Sequence, residues 1–248
     1  MRPVDALLIA GAYLVGSLPA GYYLVRLRTG RDVRASGSGS AGAMNVGREL
    51  GRASFVLTLV ADAAKGAVVA WAAVSWGSPW GSSLAVLAAV AGHIWPLHLG
   101  LRGGKGIATT LGALAVGDPL LVALLLAASG AFALFARSFT RGGLVAVALL
   151  PLAAGALQRP VHLQGLVGIL AILLLIAHRE NLRTWIRSRR KREVAPADHS
   201  VQPPPPASPS GGSIPARLPL HPTAEPSQEL RSPPHPWTRS LLPPRMTP

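Results

Sequence analysis

Apolar residues run along this chain in long blocks parted by short basic segments, at about 6–25, 54–74, 83–101, 107–117, 118–136, 142–158 and 163–178. An α-helix rises about 1.5 Å per residue, so roughly 20 apolar residues cross about 30 Å of hydrocarbon. The first three blocks meet that length. The block 107–117 falls short, and Asp118-Pro119 parts it from the next, so it reads as a short or tilted crossing or a re-entrant piece. The pattern predicts an all-α, polytopic integral membrane bundle with seven transmembrane helices, or five as the fallback count.

The blocks end near Arg192. Residues 194–248 hold 16 of the 23 prolines, including Pro203–Pro206, with many serines and little that could pack. Such a segment cannot bury enough apolar surface to offset its ordering entropy. The expected organisation is a membrane-embedded domain over 1–193 and a disordered, proline- and serine-rich tail over 194–248, whose partner, if it has one, the sequence leaves unnamed. A cleaved signal peptide over 1–20 is set aside, because Asp5 interrupts it and the charge pattern below needs that crossing.

Composition agrees with a membrane protein: 50% of residues are hydrophobic and 14% charged, with a mean hydropathy of +0.38. The net charge of +14 would otherwise suggest nucleic acid, but the cations sit between apolar blocks, so no nucleic-acid partner is expected. With seven crossings, 26–53, 102–106, 137–141 and the segment after 178 share one side, carrying 17 basic residues up to Arg192 against Arg2 and Arg159 opposite. The positive-inside rule makes the basic side cytoplasmic. Trp76 and Trp80 then belong to the outer aromatic belt and Trp185 to the inner one. The absence of cysteine excludes disulfides, thiolate metal sites and cysteine nucleophiles.

The unusual polar residues gather on the basic side. Ser36-Gly37-Ser38-Gly39-Ser40-Ala41-Gly42-Ala43-Met44-Asn45, flanked by Arg34 and Arg48, has the glycines and cations of an anion-binding loop. A flexible Gly/Ser linker accounts for the composition as well; the arginines and Asn45 favour the anion site. A second cluster, Gly92-His93 to Pro96 and then Gly100 to Gly106, includes Gly103, Gly104, Lys105 and Gly106 before an apolar block. It is not a Walker A loop, since Leu99 and Gly106 stand where that pattern needs Gly and Ser or Thr. Asp62 and Lys65 lie inside an apolar block, where each alone costs about 2.5–3.5 kcal/mol at mid-bilayer. Their i, i+3 spacing allows a neutralised structural pair, and a phosphate-facing Lys65 is the equal alternative. Last, His178-Arg179-Glu180-Asn181 offers a base, a hydroxyl-orienting amide and a carboxylate able to pair with an arginine.

Together these motifs resemble the bacterial acyl-phosphate:glycerol-3-phosphate acyltransferases of the PlsY type. The resemblance covers most of 5–190 and rests on four ordered patterns: Gly16-Ser17-Leu18-Pro19 with Asp32-Val33-Arg34, Gly37-Ser38-Gly39, Gly42-Ala43, Asn45-Val46 and Arg48; Asp62-Ala63-Ala64-Lys65-Gly66; Gly92-His93 with Gly103-Gly104-Lys105-Gly106 and Ala108-Thr109; and His178-Arg179-Glu180-Asn181. It departs at Ser40, Met44 and Ala177, where the family usually has Asn, Thr and Arg.

The resemblance implies transfer of an acyl group from acyl phosphate to the 1-hydroxyl of glycerol 3-phosphate, giving lysophosphatidic acid and phosphate in phospholipid synthesis. It implies a multi-pass protein of the bacterial cytoplasmic (inner) membrane with its active site facing the cytoplasm. No cofactor and no metal are expected; the partners are the two substrates, membrane lipids and an enzyme that makes acyl phosphate. The chain lacks a His-x4-Asp pair, so the dyad of acyl-CoA-dependent acyltransferases is missing. The expected catalytic residues are His178, Asn181, Ser38 and Arg48. Arg34, Gly37, Gly39, Gly42, Asn45, Lys65, Gly103, Gly104, Lys105 and Gly106 are expected to bind substrate, with Asp62 and Glu180 structural. The competing class is a membrane transporter of a phosphorylated solute, but no internal repeat is visible and the motifs gather at one face.

Overall fold

The structure, a computed structural model, describes residues 1–185. Arg187, Arg189, Arg190, Lys191 and Arg192 of the expected basic end, and the expected tail 194–248, lie outside the described residues. The helices follow the apolar blocks: α1 (Pro3–Gly16), α2 (Ala20–Thr29), α3 (Ala43–Leu50), α4 (Arg52–Trp76), α5 (Pro79–Ile94), α6 (Ile107–Gly117), α7 (Pro119–Ala136), α8 (Phe139–Ala156) and α9 (Val161–Ala177). After α9 the chain turns by 62° at His178 into a helical segment, Arg179–Trp185.

The protein is an all-helical polytopic membrane bundle. Among the described residues, five helical stretches are long and apolar enough to cross a membrane, the first being Pro3–Thr29, and six if the bent pair around His178 is one span. The expected count of seven needs α6, whose 11 residues extend only about 16 Å. Its ends nevertheless meet opposite ends of the bundle. Gly106 packs among Val90, Ile94 and Leu174, while Asp118, just past α6, pairs with Arg159 at 2.7 Å. The short helix thus lets the loop before it sink into the bundle.

Local sequence explains the boundaries. Pro79 and Pro119 open their helices at positions where a backbone N–H has no intrahelical partner. The side chains of Ser78, Asp118 and Ser138 accept hydrogen bonds from Gly81, Leu121 and Arg141 amides one turn later. Inside, Val90, Leu114, Leu121, Val167, Leu170 and Leu174 are buried together. Outside, Leu7, Leu134, Phe135, Leu152 and Ile172 are exposed, an apolar jacket that suits lipid rather than water.

Helix pairs approach closely where small residues meet. A Cβ on Gly16 or Gly92 would strike the Ala89 or Tyr13 carbonyl between α1 and α5. One on Gly66 or Gly112 would strike the Thr109 or Ala63 carbonyl between α4 and α6. Such contacts bring backbones together where no hydrophobic drive separates helix from lipid.

Two features depart from the block reading. The first block is not one helix: α1 ends at Gly16, and α2 begins at Ala20 after Pro19, which has no N–H to donate. The basic segment 26–53 is not all loop, because α3 buries Val46 there and Gly47 packs on Phe55 of α4. At the far end, buried Asp5 accepts from the Arg2 amide (2.6 Å) and from the amide and hydroxyl of Ser78 (2.8 and 2.7 Å). Trp76 and Trp80 flank that turn, about half exposed.

Gly66→Ala is expected to lower thermal stability in detergent by about 1–3 kcal/mol, because its methyl group meets rigid backbone. Gly168→Ala in α9, where nothing lies within 4 Å, is expected to cost nothing. Equal melting shifts for the two variants would contradict the close α4–α6 crossing.

Candidate active site

The first glycine segment folds around one buried side chain. Gly37 and Gly39 adopt left-handed φ of 55° and 67°, a conformation that side chains disfavour. The turn closes on Asn45, which is 1% exposed. Its Nδ2 donates to the carbonyls of Val33 (2.8 Å), Ser36 (3.1 Å) and Ser40 (3.1 Å), and its Oδ1 accepts from the Ser38 amide (2.9 Å). A Cβ on Gly37 would strike Asn45 Oδ1. Asn45 was expected to bind substrate; instead its amide is bonded inside the loop that presents Ser38. The amides of Gly39 and Gly42 are likewise bonded inside the loop, to the Ser36 carbonyl and Ser40 Oγ.

The two glycine segments interlock. The Ala41 amide donates to the Gly103 carbonyl at 3.1 Å. Arg34 lies over the Tyr22 ring, pairs with Asp32 at 2.8 Å, and donates to the carbonyls of Leu99 (2.6 Å) and Arg102 (2.9 Å). Arg34 holds the Asp32 carboxyl below its ordinary pKa by hydrogen bonding to the charged form. Expected to bind phosphate, Arg34 instead ties one loop to the other. The amides of Gly103 and Gly104 bond the Ile94 and His93 carbonyls at the end of α5, both at 3.0 Å, so they do not cradle an anion. Gly106, at φ 82°, starts α6. The glycines thus act through conformation and close packing.

What remains free is a small set of side chains around Lys105. Lys105 Nζ donates to Asn181 Oδ1 at 2.6 Å, joining the second loop to the segment after α9. Burial holds the Lys105 pKa below the ordinary lysine value, and the nearby Arg48 charge lowers it further. Arg48 is exposed with no ion-pair or hydrogen-bond partner among the described residues. His178, 6% exposed, has Nδ1 2.8 Å from the Leu174 carbonyl. A carbonyl only accepts, so this bond assigns the proton of the neutral ring to Nδ1 and leaves Nε2 an open lone pair.

Ser38 and Asn181 share a groove of about 620 Å³ between the first loop, α8, α9 and the last segment. Its head is polar, with Ser38, Asn181, Arg141 and Thr140. Its walls are apolar, with Leu144, Val145, Ala148 and Leu175. Arg141 and Thr140 were not singled out by motif reasoning. Arg141 entered only the charge count, and nothing in its flanking residues marks it; here its guanidinium lies 6.0 Å over Trp185.

Of the remaining expected residues, Lys65 and Asp62 do not line the groove, whereas Glu180 does. Lys65 Nζ is 2.9 Å from Asp62 Oδ1, 3.1 and 3.0 Å from the Gly16 and Leu18 carbonyls, and 2.7 Å from His93 Nδ1. Its donors are spent inside the bundle, so Lys65 is structural with Asp62 and does not face phosphate. Glu180 pairs with Arg183 at 2.7 Å, as its sequence context suggested, but both are more than half exposed, where such a pair contributes little.

Fold and site define a class: a helical membrane protein whose basic end holds unpaired cations, an open imidazole nitrogen and a hydroxyl beside an apolar groove. The family model described as "Glycerol-3-phosphate acyltransferase" matches residues 6–188, and the chain belongs to that family. It is 44% identical over 193 residues to glycerol-3-phosphate acyltransferase 1 of Desulfitobacterium hafniense (strain Y51), covering 76% of this chain and 94% of the relative. It is 40% identical to the enzyme of the same name from Geobacter sulfurreducens over 187 residues, 72% of this chain and 92% of the relative. It is also similar to the crystal structure of PlsY (YgiH), an integral membrane glycerol 3-phosphate acyltransferase, in its glycerol 3-phosphate form. That match has TM-score 0.70 and 32% identity, covering 75% of this chain and 94% of the other. The lysophosphatidic acid form of PlsY matches at TM-score 0.68.

Asn45→Ala removes one hydrogen bond each from three carbonyls and one amide of the loop. It is expected to cost about 1–3 kcal/mol of stability and most of the activity, read by thermal unfolding and turnover. Wild-type behaviour in both would remove Asn45 from the centre of the loop.

Proposed function

We propose that this glycerol-3-phosphate acyltransferase takes its acyl group from an acyl phosphate and places it on the 1-hydroxyl of glycerol 3-phosphate. Lysophosphatidic acid and inorganic phosphate are the products. The reading rests on one observation above the others: Lys105 and Asn181, from distant parts of the chain, meet at 2.6 Å beside a groove with a polar head and apolar walls. That is the shape of a substrate pair with two phosphates and one fatty tail. The relatives' names, and the glycerol 3-phosphate and lysophosphatidic acid forms in which PlsY was crystallised, support the acceptor and the product.

The residues divide the work by what they leave free. Ser38 Oγ and the unpaired Arg48 guanidinium hold the acyl phosphate head, with the acyl chain running down Leu144, Val145, Ala148 and Leu175. Lys105 binds the phosphate of glycerol 3-phosphate by charge-assisted hydrogen bonds. Asn181 Nδ2 and His178 Nε2 orient the acceptor hydroxyl. Its oxygen attacks the acyl carbonyl, the carbonyl carbon–phosphate oxygen bond breaks, and the departing phosphate takes the hydroxyl proton. An acyl phosphate is already activated, so positioning and charge stabilisation supply the rate without a His-Asp dyad. The site faces the cytoplasm of a bacterial inner membrane, because the basic ends of the helices gather there.

Purified protein given glycerol 3-phosphate is expected to form lysophosphatidic acid with acyl phosphate and not with acyl-CoA. The opposite donor preference would overturn the proposal. Lys105→Ala is expected to raise the KM for glycerol 3-phosphate about tenfold or more, the loss of one charge-assisted contact. The ammonium form is present below the Lys105 pKa and lost as pH rises through it. Because burial lowers that pKa, affinity is expected to fall at a lower pH than for an ordinary lysine. Lys105→Arg is expected to carry that fall to higher pH, and an unchanged profile would count against Lys105 as the binding cation.

A further inference from the structure

The Asp62, Lys65 and His93 cluster lies inside the bundle and takes no part in the steps above. It joins four parts of the chain. Asp62 Oδ1 accepts from the Ala20 amide at the start of α2 (3.1 Å), and Lys65 Nζ reaches the carbonyls of Gly16 and Leu18 at the end of α1. Lys65 also reaches His93 Nδ1 on α5. The first three contacts satisfy the helix ends left by the break at Pro19. The contact with His93 is not needed for that.

An ammonium paired with a carboxylate only donates, so His93 Nδ1 accepts and the ring proton sits on Nε2. The ring is 2% exposed, and Nε2 has no hydrogen-bond partner among the described residues. Its edge abuts Gly104 so closely that a Cβ there would run into Nε2 and Cε1. The His93 carbonyl also accepts from the Gly104 amide. One residue therefore touches Gly104 from two directions, and the next residue along the chain is Lys105.

We infer that His93 is a positioning residue for Lys105, acting through Gly104. Lys65, anchored by Asp62 and the α1 carbonyls, fixes the ring; the ring edge fixes the height of the second loop. The loop in turn sets where the Lys105 ammonium stands beside Asn181. Displacement of a binding group by about 1 Å is enough to cost a large factor in rate or affinity. The inference rests on the reading of Lys105 as the cation for the phosphate acceptor.

A double-mutant cycle on the purified full chain tests it, reading the KM for glycerol 3-phosphate in wild type, His93→Ala, Lys105→Ala and the double variant. His93→Ala is expected to raise that KM about tenfold, with the KM for acyl phosphate within about twofold of wild type. In the Lys105→Ala background the same change is expected to have less than about a twofold effect, because its target is gone. Losses that multiply overturn the inference while leaving the reading of Lys105 intact. A KM that Lys105→Ala leaves at the wild-type value overturns that reading, and the inference with it. If His93→Ala does not fold, His93→Asn takes its place in the cycle. It keeps an acceptor for Lys65 but removes the ring edge under Gly104, so a wild-type KM in that variant also overturns the inference.

Discussion

Backbone that leaves a helix inside a bilayer protein has no water to bond with, and each orphaned amide or carbonyl there costs several kcal/mol. The site end of this bundle contains two such irregular segments and a broken first helix. Many of their polar groups are met by four side chains. Asn45 bonds four backbone groups of the first loop, Arg34 bonds carbonyls of the second, and Lys65 with Asp62 completes both ends of the break at Pro19. Removing any one takes hydrogen bonds away from backbone groups of these segments.

This internal bonding decides which groups are left for substrate. Cations in a membrane interior usually pair with carboxylates or carbonyls, as Lys65 and Arg34 do. Among the described residues Arg48 has no such partner, and Lys105 is bonded only by the neutral Asn181 amide. His178 is held by a backbone carbonyl in the tautomer that leaves Nε2 open. The rigid, satisfied shell and the few unsatisfied groups belong to one arrangement. The shell holds the free groups at fixed separations, so their order need not be gained when the substrates bind.

Much of the fold could be read from the blocks of apolar residues, because lipid imposes a length that sequence must meet. The short α6 was visible as a block of 11, and Asp118-Pro119 marked its end. The kink at Pro19 was hidden inside an unbroken apolar run, and α3 was hidden in a segment whose charges masked the buried Val46. The motifs located the site but not the duties within it. Asn45, Arg34 and Lys65 look like ligands for an anion in one dimension, and only their neighbours show that their donors are already used. His93 could not be assigned a duty from its spacing, since its partners Lys65 and Gly104 come from other elements.

The central claim is that Ser38, Lys105 and Asn181, drawn from three separate stretches, converge on a single face of the membrane. The chain contains no cysteine, so single cysteines at these positions report without background. Labelling with a membrane-impermeant maleimide in inverted and right-side-out vesicles reads the face directly, with a cysteine at Trp80 as the opposite-face control. All three positions reacting from one side, and Trp80 from the other, is the result expected here. Any of the three reacting from the Trp80 side would contradict the account.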